Sequence, residues 1–250
     1  MAEAPETTLV KFEVFRFGPE QGPGEHWQTY EVPCPPDWVV LDALNYIKDE
    51  IDPTLSHRWS CRMGVCGSCG MMINGTPELT CKAFVRDLPQ PIRVAPLANF
   101  PVVRDLVVEL DSFVSKLQSV KPWIIRKVER ELEHGEYLQS PDDLDNFKQF
   151  SMCINCCLCY AACPVLAHEP EFIGPAALAL GFRYNQDSRD EGEAERFETI
   201  AGDDGVWNCS YANECSEVCP KNVDPAAAVN RAKLTSALHW TRLLPMRGAK

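Results

Sequence analysis

Cysteine dominates the possible chemistry of this 250-residue chain, which contains 13 cysteines. One group follows the spacing C-x4-C-x2-C-x11-C and comprises Cys61, Cys66, Cys69 and Cys81. The first three match the plant-type pattern of [2Fe–2S] ligands. Glycines at 64, 67 and 70 alternate with them and permit the sharp turns and close backbone approach that such a cluster needs. We therefore predict a [2Fe–2S] cluster here. The alternative is a structural zinc loop, although zinc sites usually combine two C-x2-C or Cys/His pairs.

Two further runs follow the bacterial ferredoxin pattern C-x2-C-x2-C-x3-C-P. The first contains Cys153, Cys156, Cys159 and Cys163, followed by Pro164. The second contains Cys209, Cys215 and Cys219, followed by Pro220, and Ala212 stands where its remaining cysteine would be. In two-cluster ferredoxins the fourth cysteine of each run binds the other cluster. This exchange predicts one cluster on Cys153, Cys156, Cys159 and Cys219, and another on Cys163, Cys209 and Cys215.

The number of thiolates distinguishes the two cluster types. Four thiolates fit a [4Fe–4S] cube, whereas three thiolates and a non-ligating alanine fit a [3Fe–4S] cluster. A water, a hydroxide or a nearby side chain that holds a fourth iron is one alternative, and a pair of zinc sites is another. Cys34 and Cys157 fall outside these patterns, and we interpret both as small buried hydrophobic residues.

The composition is that of a globular protein, with 45% hydrophobic and 24% charged residues. No run approaches the ~18 apolar residues of a membrane span. The net charge of −12 argues against a general nucleic-acid-binding protein. The N-terminal MAEAPETT resembles neither a secretory signal nor a transit peptide, so we expect the mature chain to start here, in a bacterial cytoplasm. In a reducing compartment, clustered cysteines favour metal ligands over disulfides.

The elements that must position these cysteines change in type along the chain. Alternating residues predict strands at 8–17 and 27–34, joined by a long loop. A helix is predicted at 38–51, short β segments at 70–95, and an amphipathic helix at 102–120. Further helices are predicted at 141–150, 175–183 and 225–244, and Pro175 and Pro225 suit the first turn of the last two. This order indicates an α+β N-terminal domain and a helical C-terminal domain, with a boundary near 105–120.

Four stretches together resemble a known family: CRMGVCGSCGMMING with its later cysteine, CINCCLCYAACP, FIGPAALA and CSYANECSEVCPKNV. The family is the iron–sulfur subunit of succinate dehydrogenase and fumarate reductase (succinate:quinone oxidoreductase, complex II), and the resemblance extends over residues 8–235. It implies a plant-type ferredoxin (β-grasp) domain at 1–112. An all-α, bacterial-ferredoxin-like domain is implied at 113–250.

The resemblance also implies an activity and partners. A flavoprotein subunit with covalently bound FAD would oxidise succinate, and single electrons would pass through [2Fe–2S], [4Fe–4S] and [3Fe–4S] to a membrane quinone. Fumarate reduction would use the same clusters, with electrons moving in the opposite direction. One or two membrane-anchor subunits would hold the chain peripherally on the cytoplasmic side of a bacterial cell membrane. The chain itself is not expected to bind flavin, and it contains no strand–GxGxxG–helix unit.

The sequence departs from ubiquinone-linked family members at the implied quinone site. Pro164 matches the family, but Ala167 and His168 replace a tryptophan pair, and Ser210 replaces a histidine. The remaining candidates for quinone contacts are Pro164, His168 and Ser210, and the loss of the aromatic residues favours menaquinone. His168 is alternatively a surface histidine.

The C-terminal stretch differs in charge from the rest of the chain. From Pro225 to Lys250 it contains five basic residues and no acidic residue. It is predicted to face an anionic membrane surface or an acidic partner. A solvated helix end is the alternative.

Two other functions fit parts of the sequence. One is a cluster subunit of another flavoenzyme, such as glycolate oxidase or heterodisulfide reductase; Ala212 and the plant-type domain argue against it. The other is a zinc-binding interaction module without a redox role.

Overall fold

The computed structural model describes residues 7–18 and 24–241. Its strands are β1 Thr8–Arg16, β2 His26–Cys34, β3 Gly70–Ile73, β4 Thr76–Leu79, β5 Ile92–Ala95, β6 Val102–Arg104 and β7 Val107–Val108. Its α-helices are α1 Val40–Tyr46, α2 Asp111–Ser119, α3 Pro141–Asp145, α4 Leu158–Ala161, α5 Pro175–Gln186, α6 Glu193–Ile200, α7 Glu214–Glu217 and α8 Pro225–Trp240. Part of the predicted loop after β1 and the basic residues Arg242, Arg247 and Lys250 lie outside the described residues. Within those ranges, every helix is too short or too polar to cross a membrane.

The contacts between residues divide the chain into two compact units. The first contains the described residues up to Leu110 together with Ile154–Ala162. The second contains Asp111–Cys153 and the described residues from Cys163 onwards. The domain boundary between 112 and 113 stays a prediction. The packing of 154–162 with the first unit was not predicted.

The first unit is built on a five-stranded mixed sheet with the strand order β2-β1-β5-β3-β4. β1 and β2 are antiparallel, and β1 and β5 are parallel. Alternate residues of β1, namely Val10, Phe12 and Val14, are buried in the core, and α1 contributes Val40 and Leu44 to the same core. The strands predicted at 8–17 and 27–34 are confirmed. The predicted fold class, an α+β domain followed by a helical domain, is confirmed as well.

The helix predicted at 102–120 is wrong in its first half. Residues 102–108 form the antiparallel pair β6–β7, which is rich in β-branched valine. Asp105 lies in the intervening turn with a φ of 46°, and its buried carboxylate accepts hydrogen bonds from Arg16 Nε at 3.0 Å and from the Ser56 N–H at 2.8 Å. This ion pair, together with the β-propensity of valine, outweighs the helical spacing of the apolar residues. The helix α2 begins only at Asp111.

The second unit is helical, with α5 packed against α8. Both helices start with a proline in the first turn, as predicted. Asp224 caps α8 by accepting a hydrogen bond from the Ala227 N–H at 2.9 Å. The helices predicted at 175–183 and, over its described part, at 225–244 are confirmed. The one predicted at 141–150 is α3 followed by a 3-10 turn, and α6 was not predicted.

His57 makes the stability of the first unit depend on pH. Burial and, to a smaller extent, the charge of Lys48 lower its pKa to about 4, and Asp49 partly opposes the decrease. Within the described part of the chain, His57 Nδ1 has no hydrogen-bond partner. An unfolded histidine has a pKa of about 6.5, so the unfolded chain binds more protons between about pH 6.5 and pH 4. The free energy of unfolding should therefore fall as the pH is lowered through this window.

We expect His57→Gln to flatten the dependence of melting temperature on pH between about 6.5 and 4. His134→Gln is the control, because the His134 side chain is 64% exposed. Equal slopes for the two variants and the unmodified chain would contradict the assignment to His57.

Candidate iron–sulfur sites

The first cysteine group is supported by backbone donors in the loop before β3. Cys61 Sγ accepts the N–H groups of Met63, Val65 and Cys66 at 3.4, 3.3 and 3.3 Å. The Cys61 N–H in turn donates to Cys66 Sγ at 3.5 Å. Gly64 and Gly67 have left-handed φ values of 68° and 74°, which an L-residue rarely adopts. The glycines therefore shape a loop whose N–H groups point at sulfur.

The thiols of Cys61 and Cys81 differ in acidity. The backbone N–H donors lower the pKa of Cys61 to about 6. Burial and, to a smaller extent, the hydrogen bond with Cys69 together raise the pKa of Cys81 to about 11. The thiolate is the form that binds iron. Cys61 is therefore prepared to bind, whereas Cys81 must lose its proton when a cluster forms. The structure thus brings Cys61 next to Cys66 and Cys69 next to Cys81.

The three-cysteine group lies in the second unit. The charges of Cys163, Cys209 and Cys215 interact with one another. The Tyr211 N–H donates to Cys209 Sγ at 3.4 Å, and two backbone N–H groups of the turn after Cys163 bind that thiol. Burial raises the pKa of Cys163, and it raises that of Cys215 to about 11. The structure therefore brings these three predicted ligands together.

The remaining predicted ligands are divided between the two units. Cys156 and Cys159 belong to the first unit, and Cys153 and Cys219 belong to the second. The grouping of these four residues around one cluster stays a prediction.

The two ferredoxin runs share a local backbone conformation. Each run has two residues with left-handed φ values and then a four-residue helix, α4 or α7. In the first run these residues are Asn155 and Cys157, with φ values of 53° and 65°. In the second run they are Tyr211 and Asn213, with φ values of 61° and 71°. This repeat aligns Ala212 with Cys156. The same alignment pairs Cys157 with the non-ligating Asn213.

Cys34 and Cys157 are each 3% exposed, which confirms that both are buried. Burial raises the pKa of Cys34 to about 11, so its thiol stays protonated at neutral pH. Cys157 donates from Sγ to the Asn155 carbonyl at 3.6 Å. These contacts fit structural roles.

Two lysines near the three-cysteine group were not singled out from the sequence. Lys233 Nζ donates to the Cys209 carbonyl at 2.7 Å. Lys116 Nζ donates to the Pro170 carbonyl, and its charge interacts with Cys163. Both place a positive charge beside a site whose ligands are anionic thiolates. Lys233 was predicted only as part of the basic C-terminal stretch, because no local pattern links either lysine to a cysteine.

The predicted quinone contacts Pro164, His168 and Ser210 are all exposed. Pro164 directly follows Cys163, and Ser210 directly follows Cys209.

Exposed aromatic residues lie on either side of Cys209 in the chain. Trp207 stacks on Trp240 with ring centroids 5.3 Å apart, and Tyr211 is 53% exposed. None of these three aromatic residues was among the predicted quinone contacts.

The donor sets fit iron–sulfur clusters. Cysteines 34 to 219 all lie within the described ranges, and none of them forms a disulfide. Backbone N–H groups directed at sulfur are one of the contacts that tune such clusters. Among the described residues, no three Cys, His, Asp or Glu side chains converge on a point suitable for one metal ion. Cluster thiolates hold different iron atoms, so they do not need such a point.

Known protein families match most of the chain. Residues 11–115 match the 2Fe-2S iron-sulfur cluster binding domain, and residues 149–223 match the 4Fe-4S dicluster domain.

Individual relatives are similar over nearly the full length. The chain is 58% identical, over 94% of its length and 96% of the relative, to the fumarate reductase iron–sulfur subunit of Mycobacterium tuberculosis. It is 42% identical, over 91% of its length and 75% of the relative, to a mitochondrial succinate dehydrogenase (ubiquinone) iron–sulfur subunit of Oryza sativa. The Mycobacterium smegmatis Sdh1 complex in the apo form contains a similar chain, with a TM-score of 0.83 and 28% identity over 93% of this chain and 97% of that one.

Proposed function

The chain belongs to the family of succinate dehydrogenase and fumarate reductase iron–sulfur subunits, and we propose that it transfers single electrons between a partner flavoprotein and a membrane quinone. The proposed order is [2Fe–2S], [4Fe–4S] and [3Fe–4S]. A flavin exchanges two electrons and each cluster carries one at a time, so this chain needs no acid or base of its own. Its residues fix the positions of the clusters and tune their potentials.

One observation carries this proposal: the thiols of Cys163, Cys209 and Cys215 lie together, and Ala212 stands in the second run where the first run has Cys156. Three thiolates support a [3Fe–4S] cluster at this site. The N–H-supported loop around Cys61 supports the [2Fe–2S] cluster on Cys61, Cys66, Cys69 and Cys81. The [4Fe–4S] cluster is assigned to Cys153, Cys156, Cys159 and Cys219.

We propose that the flavoprotein subunit, which would carry FAD, docks beside the first site. Trp59, Met63 and Val65 are 42%, 69% and 54% exposed around Cys61. The Arg62 guanidinium lies over the Trp59 ring, 4.4 Å from its centroid. Exposed apolar side chains next to a redox centre favour a protein partner that covers them.

The membrane side is proposed to lie at the three-cysteine site. Trp207 and Trp240 are 38% and 61% exposed, and tryptophan is common at membrane interfaces and in protein contacts. One or two anchor subunits, and the quinone, would bind here. The location is then the cytoplasmic side of a bacterial cell membrane, and the basic C-terminal stretch would face the same surface.

Succinate oxidation is the direction that we predict from the sequence, with fumarate reduction as the second candidate. Similarity favours the second candidate, because identity is 58% with a fumarate reductase subunit and 42% with a succinate dehydrogenase subunit. A menaquinone partner fits the absence of the tryptophan pair at 167–168. Comparing rates of succinate oxidation and fumarate reduction with menaquinone and ubiquinone analogues distinguishes the directions and the quinones.

The quinone contacts give a separate prediction. Both His168→Ala and Ser210→Ala should raise the KM for quinone about fivefold, the equivalent of one hydrogen bond of about 1 kcal/mol. Glu169→Ala is the control, because Glu169 is an exposed neighbour without a proposed role. An unchanged KM for quinone in both variants would contradict the assignment of His168 and Ser210 as quinone contacts.

An EPR-monitored redox titration of the purified complex tests the whole proposal, together with iron and sulfide analysis. We expect about nine irons per chain, from two, four and three. A chain that contains zinc and no sulfide would overturn the electron-transfer function.

A further inference from the structure

The loop that carries Cys66 and Cys69 lies against the segment that carries Cys156, and two glycines make this approach possible. A Cβ at position 67 would lie 2.9 Å from both Cα and Cβ of Cys156, and 2.9 Å from the Ile154 carbonyl oxygen. These are mostly backbone atoms, which cannot rotate away. All of these residues belong to the first unit.

Gly70 makes the same contact from the other end of the loop. A Cβ at this position would lie 3.0 Å from the Cys156 carbonyl oxygen and 3.0 Å from Leu158 Cδ2. Gly70 starts β3 and has no left-handed φ. A side chain at position 70 would therefore be opposed by the steric contact with Cys156 and not by the backbone conformation.

Other contacts within the first unit hold the segment 154–162 in place. Asn99 Nδ2 donates to the carbonyl oxygens of Tyr160 and Ala161 at 2.8 and 3.4 Å. The Phe100 and Tyr160 rings lie 6.2 Å apart, and α4 packs on β4. An added methyl group at position 67 would therefore push the cysteine loop and the Cys156 backbone apart.

We propose that Gly67, supported by Gly70, is a positioning residue that sets the separation between the first cluster and the one bound by Cys156, and thereby the rate of electron transfer between them. With clusters bound at both sites, one electron would leave the centre held by Cys66 and Cys69, which would be oxidised, and would reduce the centre held by Cys156 without breaking a covalent bond. The inference rests on the proposed function, since it requires clusters at both sites. A small displacement of reacting centres lowers rates strongly.

A left-handed φ alone would also explain a glycine at position 67, and Gly75 separates the two explanations. Gly75 has a φ of 88°, close to the 74° of Gly67, but a Cβ there would meet nothing within 4 Å. Gly75→Ala therefore has a similar conformational cost in the same unit without the steric clash.

The experiment compares Gly67→Ala, Gly70→Ala and Gly75→Ala in the assembled complex. Iron and sulfide content is measured first. EPR spectra of the fully reduced enzyme then report the magnetic interaction between the two centres, and freeze-quench EPR reports electron transfer between them. We expect all three variants to retain iron. The magnetic interaction should weaken, and electron transfer should slow several-fold, in Gly67→Ala and Gly70→Ala only.

Unchanged magnetic interaction and transfer rate in an iron-loaded Gly67→Ala variant would overturn the proposal. An equal effect in Gly75→Ala would do so as well, because it would assign the effect to backbone strain. If Gly67→Ala loses iron, the test rests on Gly70→Ala. An unchanged magnetic interaction and an unchanged electron-transfer rate in Gly70→Ala would then contradict the proposal. An unmodified complex without iron and sulfide would instead contradict the proposed function.

Discussion

Replacing Ala212 by cysteine should convert the three-iron centre into a four-iron centre. The left-handed φ values at Asn155 and Tyr211 and the short helices α4 and α7 align Ala212 with Cys156 of the first run. A thiolate at position 212 would complete a four-ligand set with Cys163, Cys209 and Cys215. Cluster type is one of the determinants of reduction potential, so the potential of this centre should shift and quinone-linked turnover should fall.

The iron content of Ala212→Cys should rise from about nine to about ten per chain, and the EPR signal of the oxidised three-iron centre should disappear. Ala212→Val is the matched control, because valine changes the volume without adding a ligand. A three-iron signal of unchanged intensity in Ala212→Cys would show that side-chain identity at 212 does not decide the cluster type.

Asp190→Ala should reduce the free energy of unfolding of the second unit by about 3–5 kcal/mol, the typical cost of leaving a buried charge without its partner. Arg196 and Asp190 have side chains that are 0% and 1% exposed, and their two hydrogen bonds measure 2.7 and 2.9 Å. Arg196 also donates to the carbonyl oxygens of Lys121 and Trp123, so it holds the segment after α2 against α6. Removing Asp190 would leave this guanidinium buried without its counter-ion.

The exposed pair Lys121–Glu195 supplies the control for that experiment. These side chains are 38% and 49% exposed at an N–O distance of 2.8 Å, so Glu195→Ala should cost only about 0–1 kcal/mol. The melting temperature and the retention of iron on heating are measured for both variants. Equal losses of stability in the two variants would mean that burial does not increase the contribution of the Arg196–Asp190 pair to the free energy of unfolding.

Predictions from short-range patterns were the successful ones. The strands at 8–17 and 27–34 and the helix starting at Pro175 follow from alternation, apolar periodicity and a first-turn proline, all of which act between near neighbours. The helix at 102–120 was wrong in its first half because Asp105 pairs with Arg16, which is 89 residues away in sequence. Apolar residues at helical spacing cannot report such a distant partner.

The sequence by itself determined the cysteine spacing, the family and the likeness of the two ferredoxin runs. Ligand spacing is local, since a cluster-binding loop must place its thiols and N–H groups within a few residues of one another. Only the tertiary structure decided that 154–162 packs with the first unit, that Gly67 touches Cys156, and that Lys116 and Lys233 lie beside the three-cysteine site. These contacts join residues far apart in the chain, and they depend on how the elements pack rather than on any repeating pattern.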